Sequence, residues 1–208
     1  LDTAAGIVVT PALTPADFTA IGINGANIDN INALVDAITS TYDSGSGVAS
    51  LNALQGVIDT AITNYQAAIN ELKAYDGSQS GAAIPDAGTY ADAGINEVNG
   101  NNLSAINSFI AALPASATDS AAEIQAIVDT YNNLPAGADH VNNNNVSLTA
   151  ADYATLGLSN INTATEISLL NDVIDNAMST AVDSYSELAN LARIVEGILT
   201  TGMGGNAN

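Results

Sequence analysis

Cysteine and tryptophan are both absent, and only Lys73 and Arg193 carry fixed positive charge among 208 residues. Without Cys there is no disulfide, no zinc-thiolate site and no cysteine nucleophile, and the redox compartment stays open. Two cations cannot form the patch that releases counterions from a nucleic-acid backbone. Docking of a basic helix on an anionic membrane fails for the same reason. The 22 acids give a formal net charge of −20. They are an ordinary share of a chain, since charged residues usually make up about 25% split between both signs. The anomaly is therefore the missing cations. Apolar runs are short (Phe109 to Leu113 is among the longest), so no segment is expected to span a bilayer. No basic stretch precedes an apolar one at the start, so no signal peptide is expected in these residues.

What the chain has is Ala at 38 positions and Asn at 25, with hydrophobic residues at 47% and aromatics at 4%. Such a composition suits thin, closely packed helices. Three stretches repeat. Leu13-Thr14-Pro15-Ala16-Asp17-Phe18 leads to Ile21-Gly22-Ile23, and Thr89-Tyr90-Ala91-Asp92 leads to Ala93-Gly94-Ile95. Leu148-Thr149-Ala150-Ala151-Asp152-Tyr153 leads to Leu156-Gly157-Leu158. Thr14, Thr89 and Thr149 each precede an Asp by three positions, a variant of the capping box that opens a helix. Pro15 suits a first helical position, and the glycines suit a left-handed residue that closes a short helix. On this reading the second copy is shortened.

A second helix is expected in each copy: after Asn27 with Ile28, Ile31, Leu34, Val35 and Ile38, after Asn102, and after Thr163 with Glu166. An Asn follows a stripe residue each time, at Ile31-Asn32, Ile106-Asn107 and Leu170-Asn171. A third helix is expected after Ser50, after Ser120 with Glu123, and after Ser184 with Glu187; the first of these extends toward Tyr75. The fold class predicted is all-α, with tandem three-helix units in an elongated or bent array. The expected divisions are a lead-in over 1–12, copies over 13–76, 77–135 and 136–201, and a flexible tail over 202–208. Tyr42 to Gly47, Asp76 to Asp86 and Asn132 to Ser147 read as joints, and Ile7-Val8-Val9 as the end of a preceding copy or a short strand.

The pattern Ala-Asp-Phe/Tyr, then Ile/Leu-Gly-Ile/Leu, then Asn and an Ile-Asn-x-Leu-Val helix resembles helical modules of very large secreted surface proteins and adhesins of Gram-negative, often marine, bacteria. The stretch Ala93-Gly94-Ile95, Ala105-Ile106-Asn107 and Ala122 to Val128 also resembles the three-helix albumin-binding modules of bacterial surface proteins. Those modules are rich in Lys, whereas Lys73 is the only lysine here. Both resemblances imply a surface-exposed, multi-module parent.

Candidate chemistry is sparse. Asp, Asn and carbonyl oxygens suit calcium, and Asp139, Asp172, Asp175 and Asp183 are the candidate ligands. No EF-hand spacing is present, and solvated faces and caps are the competing account of these acids. His140 is the only histidine and sits in an Asn-rich loop. Gly77-Ser78-Gln79-Ser80-Gly81 lacks the order of a nucleophile elbow. Gly202-Met203-Gly204-Gly205-Asn206-Ala207 fits a dinucleotide fingerprint by letters only, with no strand before it. Phe18, Tyr90 and Tyr153 read as core residues rather than a sugar platform. Arg193 is within reach of Glu196 for a helix ion pair. No catalytic residue and no cofactor other than calcium is expected.

The function expected is a non-catalytic structural or adhesion segment of a larger cell-surface or secreted bacterial protein, located outside the cell. The alternatives are a module that binds a host or neighbouring-cell protein, and a calcium-stiffened stalk. Partners are then a protein or neighbouring modules of the same chain, with no nucleic acid and no membrane insertion. The charge carries its own prediction. Self-repulsion at −20 is screened by salt, so the melting temperature should rise as salt is added from low ionic strength. A fall over that range would contradict it.

Overall fold

The computed structural model describes residues 12–41, 45–75, 83–141 and 143–204. Among them the chain is all-α, with nine helices and no strand. A short, a medium and a long helix follow one another three times. The first set is α1 (Pro15–Ala20), α2 (Ile31–Thr39) and α3 (Leu51–Ala74). The second is α4 (Ala87–Asp92), α5 (Leu103–Ala112) and α6 (Ala121–Gly137). The third is α7 (Ala150–Thr155), α8 (Ala164–Asp175) and α9 (Tyr185–Gly204). No helix among the described residues is long and apolar enough to cross a membrane. The Ile7-Val8-Val9 segment, the Ser78 glycine cluster and Gly205 onward lie outside the described residues.

The repeated motif is a helix closed in one way. The amides of Gly22, Gly94 and Gly157 donate to the carbonyls of Thr19, Ala91 and Ala154, while those of Ile23, Ile95 and Leu158 reach back to Phe18, Tyr90 and Tyr153. This is a Schellman closure, and it needs a left-handed residue; the three glycines have φ of 85°, 69° and 84°. The buried aromatic three residues inside the end meets the buried aliphatic two residues past it. Phe/Tyr…Gly-Ile/Leu is therefore a helix terminator and a core anchor at once.

The openings are less uniform than the sequence suggests. The Asp17 carboxylate accepts the Thr14 amide and hydroxyl at 2.8 and 2.7 Å, and Asp152 does the same for Thr149 at 2.7 Å each. In the second copy the roles are exchanged. Asp86 caps α4 by accepting the Thr89 amide at 2.9 Å, and Thr89 Oγ1 reaches back to the Asp86 amide. Thr89 is thus the third helical residue, and Asp92 is the last. Gly94 lies eight residues after Asp86, as Gly22 does after Thr14, so the copy is full length. An acid or a hydroxyl satisfies the same orphan amides, and a pattern written on Thr alone misplaces the start.

The medium helices hold a second correction. α2 is capped by Asn30, not Asn27, and Ile28 lies outside the helix and is 78% exposed. Asn27 forms the preceding turn: its amide donates to Asn30 Oδ1, and Asn30 Nδ2 donates to the Gly25 carbonyl. Asn99, Asn102 and Glu97 repeat this arrangement 72 residues later. In that register Val35, not Asn32, is the counterpart of Asn107.

The interior divides differently from the repeat. Phe18, Ile23, Leu34, Ile38, Ile58 and Ala61 form one core. The last turns of α3, with Ala68, Ile69 and Leu72, belong to a second core that holds the buried apolar residues of both later copies. So α3 completes one core with its first half and opens the next with its second, and it packs on α4. A 24-residue helix is about 36 Å long at about 1.5 Å per residue, enough to serve both.

Candidate functional site

Polar side chains cluster at the turns, and what each does is visible from its partners. Gln55 on α3 donates to the Asn24 carbonyl and accepts the Asn24 amide at 2.9 Å, while its Nε2 also donates to Asp59 at 2.7 Å. Gln125 on α6 makes the same three bonds with Asn96 and Asp129. Each glutamine clamps the turn after a short helix onto the long helix.

A buried pair does the same inside the later two copies. Tyr90 Oη donates to Asn107 Oδ1 at 2.6 Å, and Asn107 Nδ2 donates to the Pro85 carbonyl at 2.8 Å. Tyr153, Asn171 and the Leu148 carbonyl repeat it at 2.6 and 2.9 Å. Burial holds both phenols well above the ordinary tyrosine range. In the first copy Phe18 and Val35 occupy these places, so the pair is exchanged as a whole. Tyr90→Phe should cost about 1–2 kcal/mol, because it strands a buried acceptor. Asn107→Val added to it should cost less than the sum of the two single changes, with a coupling of roughly 1 kcal/mol. Additive single and double variants in denaturant unfolding would rule this out.

The calcium candidates separate. Asp175, the last residue of α8, is 1% exposed. Its Oδ2 accepts the amides of Asn143 and Asn144 at 2.9 and 3.1 Å, and its Oδ1 accepts that of Asn145 at 3.1 Å. Asp139 sits in the same loop and accepts the Val141 amide and Asn145 Nδ2. These two carboxylates face N–H donors, the partners that an anion takes and a cation does not. Asp172 lies one turn back on α8, beside an outer groove that also includes Leu169 and Leu199. Asp183 stands elsewhere, before α9. Among the described residues no three Asp, Glu or His side chains come together as a metal-sized group.

His140 belongs to the Asp175 loop. Its φ is 62°, its amide donates to the Ala177 carbonyl, and its Nδ1 lies 2.8 Å from the Asn176 carbonyl. That contact makes Nδ1 the protonated nitrogen. The imidazole thus ties the loop to the end of α8. Arg193 donates to Asn190 Oδ1 at 2.9 Å, whereas Glu196 accepts from Asn160 Nδ2 at 2.7 Å. The ion pair expected from their spacing gives way to these two contacts, one of them long-range and out of reach of a helix rule.

A cleft of about 650 Å³ lies between the Glu97–Asn102 turn, α6 and the turn before α9. Glu97, Asn101, Tyr131, Asn132, Thr180 and Asp183 line it. A hydrogen bond with Glu187 holds the Asp183 carboxyl above the usual carboxylate range and Glu187 below it. Glu97 is left-handed at φ 65°, where the first copy has Gly25 at 94°. Its counterpart partner changes too. A side chain at Gly25 would run into Ile62, and the residue in that place on α6 is Asn132, which donates to Glu97. Sequence inspection missed this cleft, because its walls come from segments some 80 residues apart. Set beside known proteins, the chain matches no protein-family model, no curated protein and no solved structure.

Proposed function

We propose that the chain is a non-catalytic structural or adhesion segment of a larger bacterial surface or secreted protein, built as a tandem array of small three-helix units. The observation that supports this reading is the use of polar side chains. The glutamine clamps, the Asn turns and the Tyr–Asn pairs each recur in two of the three copies and bind backbone. No buried side-chain nitrogen or oxygen among the described residues lacks a partner. A site for chemistry keeps polar groups in reserve for a substrate, and these are committed to holding turns on helices.

Solution scattering at dilute concentration, run beside a binding screen against host-cell surface extracts, tests the reading. The expected result is a rigid particle whose profile stays the same in every extract. A single saturable partner would replace it with the second reading, a protein-binding module that uses exposed helix faces. The calcium-stiffened stalk makes a separate demand: the melting temperature must rise with millimolar calcium, and no shift removes it.

A further inference from the structure

Tyr90, Tyr131 and Tyr153 are the buried tyrosines among the described residues. Tyr90 and Tyr153 each donate to an Asn. Tyr131 Oη hydrogen-bonds to nothing among the described residues, although the residue is 3% exposed. No fully buried side-chain oxygen there is without a partner, so this hydroxyl is not sealed in the core and meets the cleft that Tyr131 lines. The fold does not require it. Tyr131 lies eleven residues after the serine that opens its long helix, and in that place the other copies carry Ala61 and Val195, both buried.

Carboxylates from two copies share that cleft, Glu97 from the second and Asp183 from the third. Glu97 lies three residues after its Schellman glycine, where the other copies have Gly25 and Asn160. In the third copy Asn160 donates to Glu196 at 2.7 Å. In the second the pair is reversed, and Asn132 reaches Glu97 only at 3.5 Å. That length is past the ordinary range of an N–H···O bond, so Glu97 keeps acceptor capacity. Asp183 is hydrogen-bonded to Glu187. Burial, and then the Asp183 and Glu187 carboxylates, hold the Tyr131 phenol above the ordinary tyrosine range, so it stays uncharged. Among the described residues no Lys, Arg or His lines the cleft.

We propose that this cleft binds an organic ligand through a primary ammonium group, which donates to the Glu97 and Asp183 carboxylates and to Tyr131 Oη. An ammonium has three donors and no acceptor, which suits two carboxylates and a phenol oxygen. A volume of about 650 Å³ lies within the usual range of small-molecule sites, about 300–1,000 Å³, and is far more than a bare metal ion fills. Tyr131 is the one aromatic among the described lining residues, and its ring packs on Phe109 with centroids 5.4 Å apart. The cleft therefore has neither the aromatic cage that takes a quaternary ammonium nor a platform for stacking a sugar. A ligand held there ties the second copy to the third. No bond is made or broken, so the site goes beyond the structural reading without depending on it.

Titration calorimetry of the full chain tests it, at about 0.15 M salt to screen diffuse attraction to the acidic surface. The probes are 1,4-diaminobutane, Nα-acetyl-lysine amide and tetramethylammonium. The expected result is saturable one-to-one binding of a primary amine with a Kd of about 0.1–1 mM. The tighter of the two amines names the source, a free polyamine or a lysine side chain. Tetramethylammonium, which has no N–H to donate, should bind at least about tenfold more weakly. Tyr131→Phe should weaken amine binding about 3–10-fold with an unchanged melting curve, since the hydroxyl has no partner in the fold. Glu97→Gln should weaken it about tenfold, and Asp92→Asn, an exposed acid that does not line the cleft, should leave it unchanged. Tetramethylammonium binding as tightly as the amines, or Tyr131→Phe and Glu97→Gln binding like wild type, overturns the site. So does the absence of saturable heat from either amine, which leaves the structural reading standing. That reading falls instead to a saturable partner in the extract screen.

Discussion

Asp175→Ala should lower stability by about 3 kcal/mol, which is roughly 6–12 °C in melting temperature for a chain of this length. The wild-type carboxylate is buried at the C-terminal residue of α8, where the helix dipole disfavours negative charge. What offsets this is the set of three amides from Asn143, Asn144 and Asn145. Charge-assisted bonds of that kind are worth more than neutral ones. Removing the carboxylate frees the loop between α6 and α7 and loosens His140 and Asp139 with it. Asp175→Asn keeps one acceptor oxygen but turns an amide donor toward other donors, so it should fall between the two. Hydrogen exchange gives the local signature. The amides of Asn143 to Asn145 should exchange faster, while α1 and α2, which belong to the other core, stay protected. A melting temperature within a degree or so of wild type would remove Asp175 from this role.

Gly94→Ala should cost about 3 kcal/mol and Gly22→Ala about 1 kcal/mol, though both replace a left-handed glycine in the same motif. The shared part is the left-handed conformation, at φ 69° and 85°. The difference is what a methyl meets: backbone of α2 at Gly94, open space at Gly22. Backbone cannot rotate aside as a side chain can, so α4 must shift from α2. That contact links the first core to the second, and the Gly94 variant should therefore melt in two steps where the Gly22 variant melts in one. Calorimetry reads both. Equal losses for the two glycines would mean that conformation alone sets the cost and that the junction contributes nothing.

The contrast between these two glycines marks where sequence reading stops. Both are legible as helix ends from local spacing, because a Schellman closure is completed within six residues and depends on nothing further away. The same holds for the capping boxes at Thr149 and Thr163, whose Asp152 and Glu166 partners the spacing identifies. Asp86 caps α4 through an equally local interaction, but a pattern written on Thr passes over an acid in that place. Asn107 is legible as a repeated residue, but its partner Tyr90 lies seventeen residues away, beyond the reach of local spacing. In sequence Asp175 is one of four candidate calcium ligands, since nothing nearby announces the amides it accepts.

By itself the sequence determined that this chain is helical, where its short helices close, and that, with no cysteine, it forms no disulfide. Those properties follow from composition and from hydrogen bonds closed within a turn or two. The tertiary structure alone decided that two later copies share a core with the end of α3 and that Asp175 holds a loop. It also decided that Ile21 and Ile198 are exposed where Leu156 and Leu134 are buried. Each of these depends on which distant surface arrives at a given residue, which no local spacing encodes.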